Sequence, residues 1–136
     1  MKRILFLIGV FLMLSFTVSA QFVLFNIPVK DAVTKQAINA KGKIYLVTDT
    51  ADAHTGNNVF CMEEFGGILE VRIDDKCNNK FRIEVGGTQL IETENGLRWV
   101  DSDEYEAESV FIQRKDDMSF PYTLPTVYLK RRSKDQ

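Results

Sequence analysis

Two short stretches decide the fold: LEVRID (residues 69–74) and KFRIEV (residues 80–85). In both, apolar side chains alternate with charged ones, and successive side chains of a strand point to opposite faces of a sheet. Each stretch is therefore expected to be a strand with one face in a core and the other in water. Turn-forming residues, DKCNN (75–79), lie between them, so the pattern predicts a β-hairpin.

Other β-prone runs flank this pair, at residues 22–30, 43–48, 90–93, 97–100, 109–114 and 126–130. Pro28 cannot donate to a ladder, which places the first run at a sheet edge or makes it begin there. Turns are expected at 54–58, at Gly86-Gly87 and at Asn95-Gly96, where both residues tolerate the positive φ of a type I′ turn. The pattern predicts one all-β domain, an antiparallel β-sandwich of seven or eight strands.

The first 20 residues have the pattern of a cleavable secretory signal peptide. Lys2 and Arg3 precede an apolar run at 4–18, and the small residues Ser19 and Ala20 precede Gln21. A helix of about 15 residues spans about 22 Å, less than the roughly 30 Å of a hydrocarbon layer. We expect cleavage after Ala20, with one domain at 21–136. An uncleaved anchor extended by residues 22–25 is the alternative.

The net negative charge of the mature chain restricts which macromolecules it is expected to bind. The 17 basic residues of the chain include two in the leader, so the mature chain keeps 15 basic residues against 19 acidic ones. Nucleic acid is not an expected partner, because phosphate binding needs clustered positive charge. The basic cluster near the C-terminus is expected to be a solvated tail; it consists of Lys130, Arg131, Arg132 and Lys134. No later apolar run has membrane length, so no transmembrane segment is expected after cleavage.

The stretch VKDAVTKQAINA (29–40) resembles the opening of carboxypeptidase-regulatory-like domains, the transthyretin-like β-sandwiches of exported bacterial proteins. Val29, Asp31, Thr34 and Ile38 match that opening, whereas a lysine and an alanine replace its glycine and proline. The resemblance extends over residues 22–85. It implies a transthyretin- or immunoglobulin-like sandwich and a non-catalytic accessory module without a cofactor. The residues themselves agree, since Asp31 and Thr34 suit local turn hydrogen bonds and Ile38 suits the core.

The two cysteines, Cys61 and Cys77, would enter an oxidising compartment after export. We expect one intramolecular disulfide between them, which would tie the segment before residue 68 to the tip of the predicted hairpin. Two unpaired thiols are the alternative.

The sequence contains few candidates for catalytic or metal-binding residues. The single histidine, His54, lies in the polar stretch 49–58 beside Asp49 and Asp52, and no nucleophile elbow accompanies it. These residues are a weak metal candidate, and no enzyme is expected.

An acidic stretch at 101–108 contains weak calcium candidates, Asp101, Asp103 and Glu104. The two aspartates have the first spacing of a calcium loop, but Tyr105 occupies the next ligand position. Solvated charge is the plainer interpretation.

Trp99 is a weak candidate for stacking on a sugar, together with Phe120 and Tyr122, although aromatic residues of a sandwich usually pack in its core. The sequence thus predicts an exported, non-catalytic interaction or structural module of the bacterial cell envelope, in the periplasm or at the outer surface. Its expected partner is an envelope or surface protein. The alternative is a carbohydrate- or calcium-binding domain with a glycan as partner.

Overall fold

The structure is a computed structural model that describes residues 21–133. The predicted leader at 1–20, together with Lys134 of the basic tail, lies outside the described residues. The elements in chain order are β1 (Phe22–Asp31), β2 (Ala40–Leu46), β3 (Ala53–Cys61), the 3-10 turn η1 (Glu63–Phe65), β4 (Ile68–Asp74), β5 (Lys80–Thr93), β6 (Gly96–Asp101), β7 (Glu108–Gln113), β8 (Tyr122–Thr123) and β9 (Val127–Leu129). Within 21–133, no helix is long and apolar enough to cross a membrane.

The strands form two packed sheets, which confirms the all-β class. In sheet I, β1 pairs with β4 on one side and with β8 and β9 on the other. In sheet II, β5 pairs with β2, β6 and β7, and β3 pairs with β2. The described residues hold nine strands rather than seven or eight, and pairing is not wholly antiparallel, because β8 and β9 run parallel to β1.

The predicted hairpin of residues 69–74 and 80–85 is wrong. Both stretches are strands, but β4 pairs with β1 in sheet I and β5 pairs with β2 and β7 in sheet II. The turn at 75–79 therefore crosses from one sheet to the other. Alternation predicted which side chains are buried, since Leu69, Val71 and Ile73 lie in the core, but alternation alone does not specify a pairing partner.

Pro28 lies in the interior strand β1, so its expected place at an edge is also wrong. The N–H of Val29 donates to Gly67 O at 2.8 Å on the β4 side, so the nitrogen of Pro28 faces the other side. There β8 pairs with Phe25 and Asn26, and β9 pairs only from Val29 onward. Pro28 falls in the gap between these two short strands, where no donor is required.

Two predicted turns are strand. Residues 53–61 form β3, whose first six residues expose both faces and therefore show no period-two pattern. Gly86 and Gly87 continue β5, which is 14 residues long. A side chain at Gly87 would be tightly packed, because an added Cβ would stand 3.0 Å from Tyr105 Cδ2.

The hairpin predicted near Asn95 exists and joins β5 to β6, with Thr93 opposite Gly96. The turn residues are Glu94 and Asn95. Gly96 has a φ of 109°, but the only described non-glycine residue with positive φ is Lys35, so the type I′ turn is not formed.

The predicted disulfide is absent, and both cysteines are free thiols. Cys61 lies opposite Ala40 near the start of β4, and its thiol contacts Ile38 O at 3.6 Å. Cys77 follows the far end of β4, where its N–H donates to Asp74 O at 2.9 Å. A seven-residue strand spans about 23 Å, whereas a disulfide needs Cα atoms within about 7 Å.

Adjacent residues of β4 offer a matched test of the core. Leu69 is fully buried and Ile68 is 42% exposed on the opposite face. We expect Leu69→Ala to lower the free energy of unfolding by about 2–5 kcal/mol through lost burial and a residual cavity. The control Ile68→Ala should cost less than about 1 kcal/mol. Urea denaturation followed by circular dichroism measures both, and equal losses would contradict the assigned register.

Thiol titration tests the separation of the cysteines. Burial raises the pKa of the Cys61 thiol to about 11, and the thiolate is the reactive species. We expect Ellman's reagent to titrate Cys77 in the native protein and Cys61 only after unfolding. The control Cys77→Ser should remove the native-state reaction. Exported protein without any titratable thiol under denaturing, non-reducing conditions would show that a bridge forms.

Candidate functional site

A groove lies at the end of the sheets where β1 finishes. Its volume is about 380 Å³. One wall is the β1–β2 connection and the other is the segment that follows β6. The polar lining is formed by Asp31, Thr34, Gln36, Asn39, Glu63, Thr88, Gln89, Ser102, Glu104, Tyr105 and Arg131, with Ala37 and Ile38 beside them.

Asp31 is the centre of this groove. It is the last residue of β1 and points inward like the apolar side chains before it, so its carboxylate is buried with a relative exposure of 1%. Oδ1 accepts the backbone N–H groups of Val33 at 2.7 Å and Thr34 at 3.0 Å, which closes the turn after the strand. Oδ2 accepts the Tyr105 hydroxyl at 2.8 Å and Arg131 Nε at 3.0 Å. Four donors thus compensate for the loss of water around the charge.

These hydrogen bonds determine the protonation states of Asp31, Tyr105 and Arg131. The N–H groups of Thr34 and Val33, followed by the Tyr105 hydroxyl, hold the pKa of Asp31 far below its ordinary range despite burial. Burial raises the pKa of Tyr105, and its hydrogen bond to the Asp31 carboxylate raises it further. Its hydrogen bond to Asp31 likewise raises the pKa of Arg131. At neutral pH the groove therefore contains a carboxylate, a neutral phenol and a guanidinium.

A short backbone ladder fixes Tyr105 and Arg131 relative to each other. The two residues form an antiparallel bridge. The N–H of Glu106 donates to Lys130 O and the N–H of Arg132 to Glu104 O, both at 2.8 Å. The segment after β6 is thereby attached to the segment after β9, next to Asp31. This arrangement makes the groove wall part of the folded core.

Two hydroxyls of the groove accept backbone N–H groups of its turns, and a third donates to a backbone carbonyl of β6. Thr34 Oγ1 accepts the N–H of Gln36 at 3.3 Å, and Ser102 Oγ accepts the N–H of Glu104 at 3.3 Å. Thr88 Oγ1 donates to Val100 O at 2.8 Å. Each oxygen stabilises the shape of the groove.

The calcium candidates are not brought together. Asp101 forms an ion pair with Lys41 of β2, and Glu104 lies 3.5 Å from Arg131 Nη1. Asp103 is exposed. Among residues 21–133, no group of three or more histidine, cysteine, aspartate or glutamate side chains is arranged to hold a metal ion.

The aromatic candidates pack on other rings. Trp99 stacks on Phe60 with centroids 5.2 Å apart and planes 21° from parallel, so each ring covers a face of the other and the two do not form a coplanar platform. Phe120 and Tyr122 make edge contacts with buried Phe25, at 5.3 Å and 6.1 Å. Phe120 is partly buried against the core, whereas Tyr122 is 37% exposed.

The weak metal candidates around His54 contact other side chains. His54 lies on the edge strand β3 beside Tyr45, with ring centroids 5.0 Å apart. Asp52 accepts Arg82 Nε at 2.7 Å. None of these side chains lines the groove.

Sequence reasoning missed the groove. It identified Asp31 as a turn residue, which the structure confirms, but assigned Arg131 to a solvated tail and Tyr105 to an acidic stretch. Tyr105 is 74 positions from Asp31, and Arg131 is 100 positions away. No pattern of neighbouring residues indicates contacts over such separations. The available signal was Asp31 itself, which continues the alternation of the buried apolar residues of β1.

Comparison of the chain with models of protein families, with curated proteins and with solved structures finds no match.

The pH dependence of unfolding tests the buried carboxylate. Because the pKa of Asp31 is lower in the folded protein, its contribution to stability is present above the unfolded value of about 3.9 and is lost as pH falls toward the folded value. We expect Asp31→Asn to unfold at lower urea concentration than wild type at pH 7, with the difference shrinking below about pH 4. Exposed Asp103→Asn is the control and should follow wild type. A difference between Asp31→Asn and wild type that does not change with pH would contradict the buried charge.

Proposed function

We propose that this chain is an exported, non-catalytic interaction module of the bacterial cell envelope, and that it binds an envelope or surface protein through the groove around Asp31. The observation that carries the proposal is that the buried Asp31 carboxylate is satisfied by internal donors, while side chains on the rim of the groove, such as Gln36 and Gln89, are exposed. Asp31 is 1% exposed, whereas the Arg131 side chain retains 58% exposure.

The rim offers hydrogen-bonding groups of both kinds. Gln36 and Gln89 carry amides that donate and accept, Glu63 and Glu104 accept, and Arg131 donates. The hydroxyls of Thr34 and Ser102 accept turn N–H groups, and the histidine and both cysteines lie outside the lining. This inventory suits recognition of a polar surface better than bond cleavage.

Export and fold class support the same proposal. The leader pattern at 1–20 directs the chain out of the cytoplasm. The resemblance to carboxypeptidase-regulatory-like sandwiches rests on Val29, Asp31, Thr34 and Ile38. Asp31 and Thr34 accept N–H groups of the turn, and Val29 and Ile38 are buried. Domains of that family are mostly accessory modules, so the resemblance favours binding.

Site-specific photo-crosslinking in cells tests the proposal. A benzophenone amino acid replaces exposed Gln89 at the groove, and the matched control replaces exposed Glu70 on the outer face of β4. We expect Gln89 to give a discrete adduct with an envelope protein and Glu70 to give none. Adducts of equal yield from both positions, or none from Gln89, would contradict the proposed groove. An adduct removed by glycosidase would establish the glycan alternative.

A further inference from the structure

The tip of the β5–β6 hairpin holds the Asn95-Gly96 pair in an open position. Both residues are exposed, and Thr93 Oγ1 spans the turn, donating to Gly96 O at 2.7 Å and accepting the Asn95 N–H at 3.3 Å. A Cβ built on Gly96 would meet no atom within 4 Å. No atom therefore crowds the side of the Gly96 α-carbon that a side chain would occupy.

We propose that Asn95 is a modification site at which the side-chain amide converts spontaneously to isoaspartate. The backbone nitrogen of Gly96 loses its proton and attacks Cγ of Asn95. A bond forms between that nitrogen and Cγ, the bond from Cγ to Nδ2 breaks, and the proton leaves with the amide nitrogen as ammonia. The product is a cyclic succinimide.

Water then opens the ring. Attack at the side-chain carbonyl gives aspartate, and attack at the main-chain carbonyl gives isoaspartate, in which the chain continues through the side-chain carboxyl carbon. The net change in both cases is loss of ammonia and gain of water. No oxidant, metal or enzyme takes part.

Asn95 differs from the other exposed asparagines in the residue that follows it. Asn57, Asn58, Asn78 and Asn79 are followed by asparagine, valine, asparagine and lysine. Those side chains obstruct the approach of the backbone nitrogen to Cγ, whereas glycine leaves it open. These four exposed asparagines thus serve as controls for Asn95 within the same chain.

The modification acts on contacts that hold the hairpin against β2 and β3. Trp99 stacks on Phe60 and Asp101 pairs with Lys41, and both β6 side chains depend on the register set by the turn. Isoaspartate adds a methylene to the main chain of a two-residue turn. The added length shifts β6 relative to β5, which loosens the Trp99 stack.

Ageing of the purified mature domain in mildly alkaline buffer tests this. Trypsin releases Asn95 as the only asparagine in the peptide 83–98, and releases Asn78 and Asn79 in 77–80 and Asn57 and Asn58 in 44–72. Mass spectrometry with isoaspartyl methyltransferase labelling measures conversion. Trp99 is the single tryptophan, so emission reports the hairpin directly.

We expect loss of the unmodified 83–98 peptide, with isoaspartate as the main product, before the other peptides change, and a parallel red shift of Trp99 emission. The variant Asn95→Gln should show neither change, because its side chain has one more methylene and would have to close a six-membered glutarimide ring, which forms much more slowly than the five-membered succinimide. Freshly prepared Asn95→Asp should keep the original emission. Equal conversion of the other asparagines, or none at Asn95, would overturn the proposal. A shift already present in fresh Asn95→Asp, or conversion without a shift, would overturn the loosening of the hairpin.

Discussion

The buried carboxylate of Asp31 is the constraint on which the arrangement of this end of the molecule depends. A charge removed from water is tolerated only when its oxygens are satisfied by hydrogen bonds or opposite charge. Here the donors come from three parts of the chain: the turn after β1, Tyr105 and Arg131. Satisfying one side chain therefore requires the β1–β2 turn, the segment after β6 and the segment after β9 to meet at the end of β1.

That requirement explains why β1 is an interior strand. Asp31 continues the inward alternation of Val23, Phe25, Ile27 and Val29, so the core and the charge lie on one face of one strand. Parallel pairing with β9 brings Leu129 beside Asp31 and leads directly to Arg131. Pro28 is compatible with this position because its nitrogen faces the gap between β8 and β9.

The sequence was informative where structure is local and periodic. Strict alternation at 69–74 and 80–85 correctly indicated strands and their buried faces. It did not indicate pairing, because any two amphipathic strands have the same period, and β4 and β5 lie in different sheets. β3 escaped detection because its exposed first six residues require no alternation, and a register shift opposite Lys43 and Tyr45 interrupts it further.

The candidate site was less predictable than the fold because its contacts are long-range. Asp31 was recognisable as a turn former from its neighbours in the chain, whereas its hydroxyl and guanidinium donors arrive from positions that only the folded topology brings near. The same limit applies to the cysteines. Their spacing in sequence suits a bridge, but the intervening strand β4 extends between them, so that Cys61 lies near its first residue and Cys77 beyond its last.

The strand β5 connects the groove to the hairpin. At Gly87 the strand passes so close to Tyr105 that a Cβ would stand 3.0 Å from its ring, while Gly87 O accepts the N–H of Ser102 at 3.1 Å. The ring that donates to Asp31 is thus packed against the strand that continues into the Trp99 hairpin. Glycine permits this approach, whereas a side chain at position 87 would require the Tyr105 ring to shift, so the position of Tyr105 and the path of β5 are coupled. The close approach of Gly87 to the Tyr105 ring thus joins the groove around Asp31 to the strand that continues into the Trp99 hairpin.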